Sequence, residues 1–336
     1  MEPLILTEKC NFEGCGFVDF FTFSGGNKVP LFDISTTGAF NQIIGFAKFI
    51  NSCYGNVYYR GSNGLFDNVL PSLMRNRANG APFDLNNILN VIMEDSRIRN
   101  SLKLRETNPP KTNQDFISNK KILRYNKYTI ESLLQHYCGQ TRFLDVVDNH
   151  WIATWMGLHN FVMHGKGGRY CQCDKRVMPL NDIYEQIVNL KSKKKESIDI
   201  KEIKFDNKLY VYIYLLAMPH SNGLPEYGIT ETDGFVEVDL RKALPSIYLR
   251  PHAQHALVIR RKDKQNVNQI ASYYDMSSQV VGILRIRIDK ANAWLGNGAL
   301  MTKENIFPSP SIDQGYNNLL MKSDIFKYPF EIVKYY

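Results

Sequence analysis

An eleven-residue apolar run, Leu209–Pro219 (LYVYIYLLAMP), sets the first limit on what this chain can become. It is the longest such run in the sequence. It falls well short of the ~20 apolar residues that a helix needs to cross a bilayer, so no membrane partner is expected. Its aromatic and β-branched side chains suit a pleated surface, and the stretch Lys208–Met218 reads as a strand. Gly234–Leu240, Ala256–Arg261 and Val280–Ile288 read the same way, each bounded by turn residues.

The first half has a different period. In Gly38–Cys53 the residues Phe40, Ile43, Ile44, Ala47 and Ile50 recur at helical spacing. Asp84–Met93 adds an Asp cap and a Leu85–Ile88–Leu89–Ile92 face, Thr129–Tyr137 a Thr cap, and Asn149–Met163 a strongly apolar, buried helix. Residues 106–121, with a Pro pair, read as a surface loop, and Lys191–Glu196 as a solvated basic run. Val57–Gly61 is a short strand ended by Gly. The fold expected is α+β and one compact unit, with helices mainly in the first half and a mixed or antiparallel sheet mainly in the second. Three parts are expected: a β-rich extension over 1–35, a central domain over 36–265, and a strand and loop segment over 266–336 packed on it.

Composition narrows the class. Hydrophobic residues at 44% and charged residues at 22% exclude a disordered or fibrous chain. Lys and Arg exceed Asp and Glu by 41 to 33, a charge of +8 that helps to capture an anion without announcing nucleic acid. The start, MEPLILTEKC, has no basic region before an apolar core, and six Cys are too few for a disulfide scaffold, so a cytoplasmic setting is expected. Cys10, Cys15, Cys171 and Cys173, with His164 near in sequence, have the donor types for zinc but not a standard spacing; free thiols are the simpler reading, and no metal is expected.

Three stretches supply the candidate chemistry. Val57–Tyr58–Tyr59–Arg60–Gly61–Ser62 is followed by Leu70–Pro71–Ser72–Leu73 and Arg75. Next comes Leu133–Asp145 (LLQHYCGQTRFLD), and last Arg250–Leu257 (RPHAQHAL). A guanidinium at a strand end, as at Arg60, can fork onto a phosphate, and Gly61 would let a ligand approach the backbone. His136 at a helix end is a candidate proton carrier. Thr141, Arg142 and Asp145 present a hydroxyl, a cation and a carboxylate after a Gly turn, and Gln254 with His255 adds an amide and an imidazole. Bland readings stand beside these: Arg60 or Arg142 paired with Asp145, and His136 as a cap on the helix dipole.

Together the three stretches, over about residues 55–260, resemble the FRG domain, named for its (Phe/Tyr)-Arg-Gly motif. Cys138 is an insertion relative to that family's pattern. The Tyr59–Arg60–Gly61 strand end also looks like the first motif of the arginine class of ADP-ribosyltransferases. On their residue types, Arg60, His136 and Asp145 are the candidate catalytic residues and Gly61, Ser62, Thr141, Arg142, Gln254 and His255 the candidate substrate contacts. The resemblance implies a nucleotide or dinucleotide ligand, NAD in particular, with a protein or nucleic-acid target, in a bacterial cell and in defence against phage. ADP-ribosyl transfer or NAD hydrolysis needs a carboxylate to stabilise an oxocarbenium-like sugar. Glu231 and Glu237 are the acidic residues near a late strand. The alternative function is a sensor that binds nucleotide or nucleic-acid phosphate without chemistry.

Overall fold

The computed structural model describes residues 2–75, 85–94, 96–106, 108–137, 141–164, 170–178, 207–221, 223–232, 234–263 and 271–321. Its strands are β1 (Cys15–Thr22), β2 (Lys28–Ile34), β3 (Gly55–Ser62), β4 (Leu144–Val147), β5 (His159–His164), β6 (Tyr170–Lys175), β7 (Tyr210–Pro219), β8 (Ile229–Glu231), β9 (Phe235–Asp239), β10 (Ala256–Arg261) and β11 (Val280–Arg287). Nine of them form one sheet in the order β1-β2-β11-β7-β3-β4-β10-β9-β8, and β5 and β6 form a separate pair. The large sheet is mixed, with β2 and β11 parallel and its other pairings antiparallel. The long apolar run becomes β7, which lies inside the sheet and is buried along nearly its whole length.

Helices α1 (Thr37–Ile50), α2 (Ser72–Arg75), α3 (Leu85–Glu94), α4 (Ser96–Leu102), α5 (Asn113–His136) and α6 (His150–Gly157) fill the first half; the periodicity predicts α1, α3, the end of α5 and α6, but not α2 or α4. α1 lays Phe40, Ile43, Ile44 and Ala47, and α6 lays Ala153 and Trp155, on Tyr59, Val211 and Ile213 of one sheet face. The far end of the sheet is covered by α5, whose Ile130, Leu133 and Leu134 pack with Val236, Val238 and Val258. A third cluster, including Tyr58, Leu144, Val146, Tyr214 and Ile259, covers the opposite face. The result is one compact α+β unit. Residues 1–35 enter its sheet through the β2–β11 pairing, and β11 sits between β2 and β7, so one hydrogen-bonded sheet runs through all three parts drawn from the sequence.

Two segments differ from expectation. The loop drawn over 106–121 is helical from Asn113, where the Thr112 side chain accepts from the Asp115 N–H at 3.1 Å. The first turns of α5 are solvated, and its continuous buried stretch begins only near Tyr125, so the polar half carries no apolar stripe to betray it. Thr129 is therefore no cap. It lies mid-helix and donates to the Tyr125 carbonyl at 3.0 Å. The apolar segment Asn149–Met163 is helical only to Gly157, then turns into β5. Lys191–Glu196 lies outside the described residues.

The feature that positions the candidate site is a seam between β3 and β4. β3 pairs with β7 over eight residues, from Gly55↔Pro219 to Ser62↔Tyr212. With the four-residue β4 it pairs only at Tyr59↔Val147. The sheet opens on either side of that pair.

Candidate functional site

At one end of the seam Arg60 follows Tyr59 out of the paired region. Its Nη1 donates to the main-chain oxygen of Asp145 at 2.8 Å, the only hydrogen bond of this guanidinium among the described residues. Burial pushes the Arg60 pKa down to about 10, and repulsion from Arg75 adds to it, against the pull of Asp145 and Tyr214. Arg75, the last residue of α2, is likewise lowered by its surroundings and attracted by Asp145. Neither arginine forms an ion pair among the described residues; Arg60 is half-buried, whereas Arg75 is exposed to solvent, and Asp145 attracts both.

α5 ends at that carboxylate. Gln135 Nε2 donates to Asp145 Oδ2 at 2.5 Å, and His136 Nδ1 lies 3.8 Å from Asp145 Oδ1. Burial works against the Asp145 charge, but His136, Arg60 and Gln135 together hold its carboxyl below the usual range. The side-chain oxygen of Gln135, Oε1, accepts from Thr141 Oγ1 at 2.6 Å and from Ser72 Oγ at 3.1 Å. Ser72 Oγ in turn accepts from the Thr141 N–H at 3.1 Å, and the Leu73 N–H bonds the Thr141 carbonyl. This mesh ties α2, the end of α5 and the approach to β4 into one rigid corner. Two buried atoms in it have no partner: His136 Nε2 and Asp145 Oδ1. Buried polar atoms are normally satisfied, which marks this corner as unusual.

The other residues singled out in the sequence have different surroundings. Arg142 gives Nε and Nη2 to the Glu131 carboxylate at 3.0 and 2.7 Å, and Nη1 to Asp263 at 2.9 Å. Burial opposes both charges, yet Glu131 stays below and Arg142 above its ordinary range because each holds the other. Arg142 therefore pairs with Glu131 and Asp263 and not with Asp145, and its fork is filled by protein. A methyl group at Gly61 would overlap the Ala153 carbonyl oxygen, so the missing side chain serves the packing of α6 on β3 and not the approach of a ligand. Ser62 Oγ closes a local turn by donating to Gly64 O at 2.8 Å. Gln254, which is buried, donates to Ile306 O at 2.8 Å. His255, at φ 49°, meets Asp148 at 3.3 Å beside Arg241. Thus Arg60, His136, Thr141 and Asp145 come together, while the partners of Arg142, Gln254 and His255 lie outside that corner.

The far end of the seam holds a cleft of about 640 Å³. Tyr58 on β3 reaches Glu237 on β9 there, its hydroxyl donating to Oε1 at 2.6 Å. Glu231 instead pairs with Arg124 at 2.9 Å and Lys262 at 3.8 Å. Neither glutamate joins the Arg60 corner.

Gln135, Ser72 and Arg75 complete that corner, although none was assigned a role from the sequence. All three lie within or beside the quoted stretches, and the signal was their adjacency to the assigned residues. Among the described residues no group of three or more His, Cys, Asp or Glu is placed to hold a metal ion. Burial pushes the Cys15 thiol up to about 12 and Cys173 up to about 11, with Cys10 and Asp33 adding to the first. The side chains of Cys171 and His164 lie outside the described residues, as does Cys138. No helix among the described residues is long and apolar enough to cross a membrane. No family model, curated protein or solved structure matches the chain.

Proposed function

We propose that the Arg60–Arg75–His136–Asp145 corner binds a phosphorylated ligand of the nucleotide class. The observation that carries this is a charge imbalance: two guanidiniums that have no ion pair among the described residues, and an imidazole, surround one carboxylate. A phosphate supplies the planar pair of oxygens that a guanidinium fork accepts, and it relieves the Arg60–Arg75 repulsion. His136 Nε2, buried and unpartnered, is a further contact for a phosphate or hydroxyl oxygen. The Gln135–Thr141–Ser72 mesh holds the Asp145 carboxylate in place before any ligand arrives.

The likeness to the FRG domain and to the arginine class of ADP-ribosyltransferases makes NAD the first ligand to test. In that reading Arg60 and Arg75 take the pyrophosphate. Asp145 is the carboxylate available to the developing sugar cation, and His136 the group that moves a proton. Binding without chemistry is favoured by a different observation: Glu237 is engaged by Tyr58 and Glu231 by Arg124, so neither is placed beside Arg60. Incubation of the purified protein with NAD, followed by chromatography for nicotinamide, separates the two. Nicotinamide release that disappears in Asp145→Asn supports an enzyme. Saturable NAD binding with no release supports the sensor. Absence of NAD, ADP and pyrophosphate binding removes the nucleotide reading altogether.

A further inference from the structure

The cleft at the Tyr58 end of the seam differs chemically from the Arg60 corner, and its charges largely cancel. Asp148, Glu237 and Asp239 line it together with Lys48, Arg241 and Lys242. Arg241 is held by Asp239 and Asp148, both at 2.9 Å, and Lys242 lies 3.4 Å from Asp239. These pairs leave little net field to draw in an ion. What remains for a ligand is a set of single polar groups: the second oxygen of Glu237, the amide oxygen of Asn56, Thr230, Ser52 and the exposed Lys48. Asn56 Nδ2 donates to the Tyr58 hydroxyl at 3.2 Å, and Tyr58 donates to Glu237. This chain fixes the orientation of the carboxyl across the opening.

We propose that this cleft is a second binding site, for a neutral, hydroxyl-rich ligand of monosaccharide size. A volume of about 640 Å³ lies within the roughly 300–1,000 Å³ common for small-molecule sites. The cleft lining offers both donors and acceptors, and its ionic groups largely neutralise one another, which matches hydroxyl groups that donate and accept in turn. Burial raises the Glu237 pKa, and Asp239 raises it further against the Tyr58 hydrogen bond. The cleft owes its existence to the short β4: past Val147 no strand fills the space beside Gly55–Tyr58.

The test uses D-ribose and D-glucose as neutral probes and sodium phosphate as the anionic one, each titrated against the whole chain by ligand-observed NMR. At least one sugar should bind saturably, and phosphate should not compete with it. Glu237→Ala should weaken that binding at least tenfold, whereas Arg60→Lys should leave it within twofold. Should Glu237→Ala lower the folded fraction seen by circular dichroism, the exposed Lys48→Met gives the same reading, with an expected loss of about threefold. Failure of both sugars to saturate, competition by phosphate, or sugar binding unchanged in a folded Glu237→Ala or Lys48→Met variant would each overturn the proposal. Because Arg60 takes no part, these outcomes are independent of whether the other end of the seam binds a nucleotide.

Discussion

Arg60 and Arg142 lie on either side of the start of β4, yet the protein treats them in opposite ways. Arg142 is buried, and all three of its guanidinium nitrogens bond to Glu131 or Asp263. Asp263 is braced in turn by Arg260 at 3.0 Å and Tyr274 at 2.7 Å. Arg60 has, among the described residues, one bond to a main-chain oxygen and a like charge nearby. A saturated cation holds a fold together, while an unsaturated one can respond to a ligand. The difference teaches that residue type at a motif position does not separate the two roles; the count of partners does.

The sharpest way to break this comparison is to remove the saturated member. Arg142→Ala leaves Glu131 buried and uncompensated, which should lower stability by about 3–5 kcal/mol in a denaturant titration. A loss below about 1 kcal/mol would mean that Arg142 is not the strut described here. Gly61→Ala tests whether the residue beside Arg60 serves packing or access. The added methyl meets the α6 backbone, which cannot rotate aside, so stability should fall by roughly 2–3 kcal/mol. An unchanged melting temperature with weakened nucleotide binding would return Gly61 to the site.

A smaller effect concerns a histidine whose partners are structural. His150 opens α6, bonds Asn41 Oδ1 at 2.9 Å, and packs edge-on against Phe40 and Tyr59 with centroids 4.9 and 5.8 Å away. Burial pushes its pKa down from 6.5 to about 4, with Lys48 contributing. The folded state thus prefers the neutral ring. Its contribution is complete above pH 6.5 and is lost as pH falls toward 4. At this half-buried position about 1 kcal/mol of acid sensitivity is expected after screening, and His150→Gln should make the melting temperature fall less steeply between pH 6.5 and 4. Identical slopes in the two proteins would contradict the assignment.

Much of the frame was legible because apolar runs and periods are local. β10 runs over the predicted residues, and β7 and β11 agree to within two positions at each end. α5 was half hidden because its first turns carry solvated residues with no stripe, so their helicity rests on the Thr112 cap and on continuity with the buried half. In the corner, Arg60, His136, Thr141 and Asp145 were legible as chemistry-bearing residue types. What the chain pattern could not show was which partners folding would deliver. Glu131 lies eleven residues before Arg142 and Asp263 far beyond it, and both had to arrive in space before Arg142 was satisfied. Likewise, Gly61 reads as freedom in sequence and as contact in three dimensions.

The central claim, that the unsaturated arginine is the functional one, rests most directly on a calorimetric titration of NAD into wild type and Arg60→Lys, with melting curves for both. Lysine keeps the charge and loses the planar fork. The account predicts saturable binding to wild type and a loss of about 1.5–3 kcal/mol in the variant, roughly ten- to a hundredfold in affinity. Melting temperatures should agree to within about 2 °C, because Arg60 donates only one bond among the described residues. Equal affinities accompanied by a marked drop in melting temperature would contradict it and place Arg60 with Arg142 among the residues that only hold the fold.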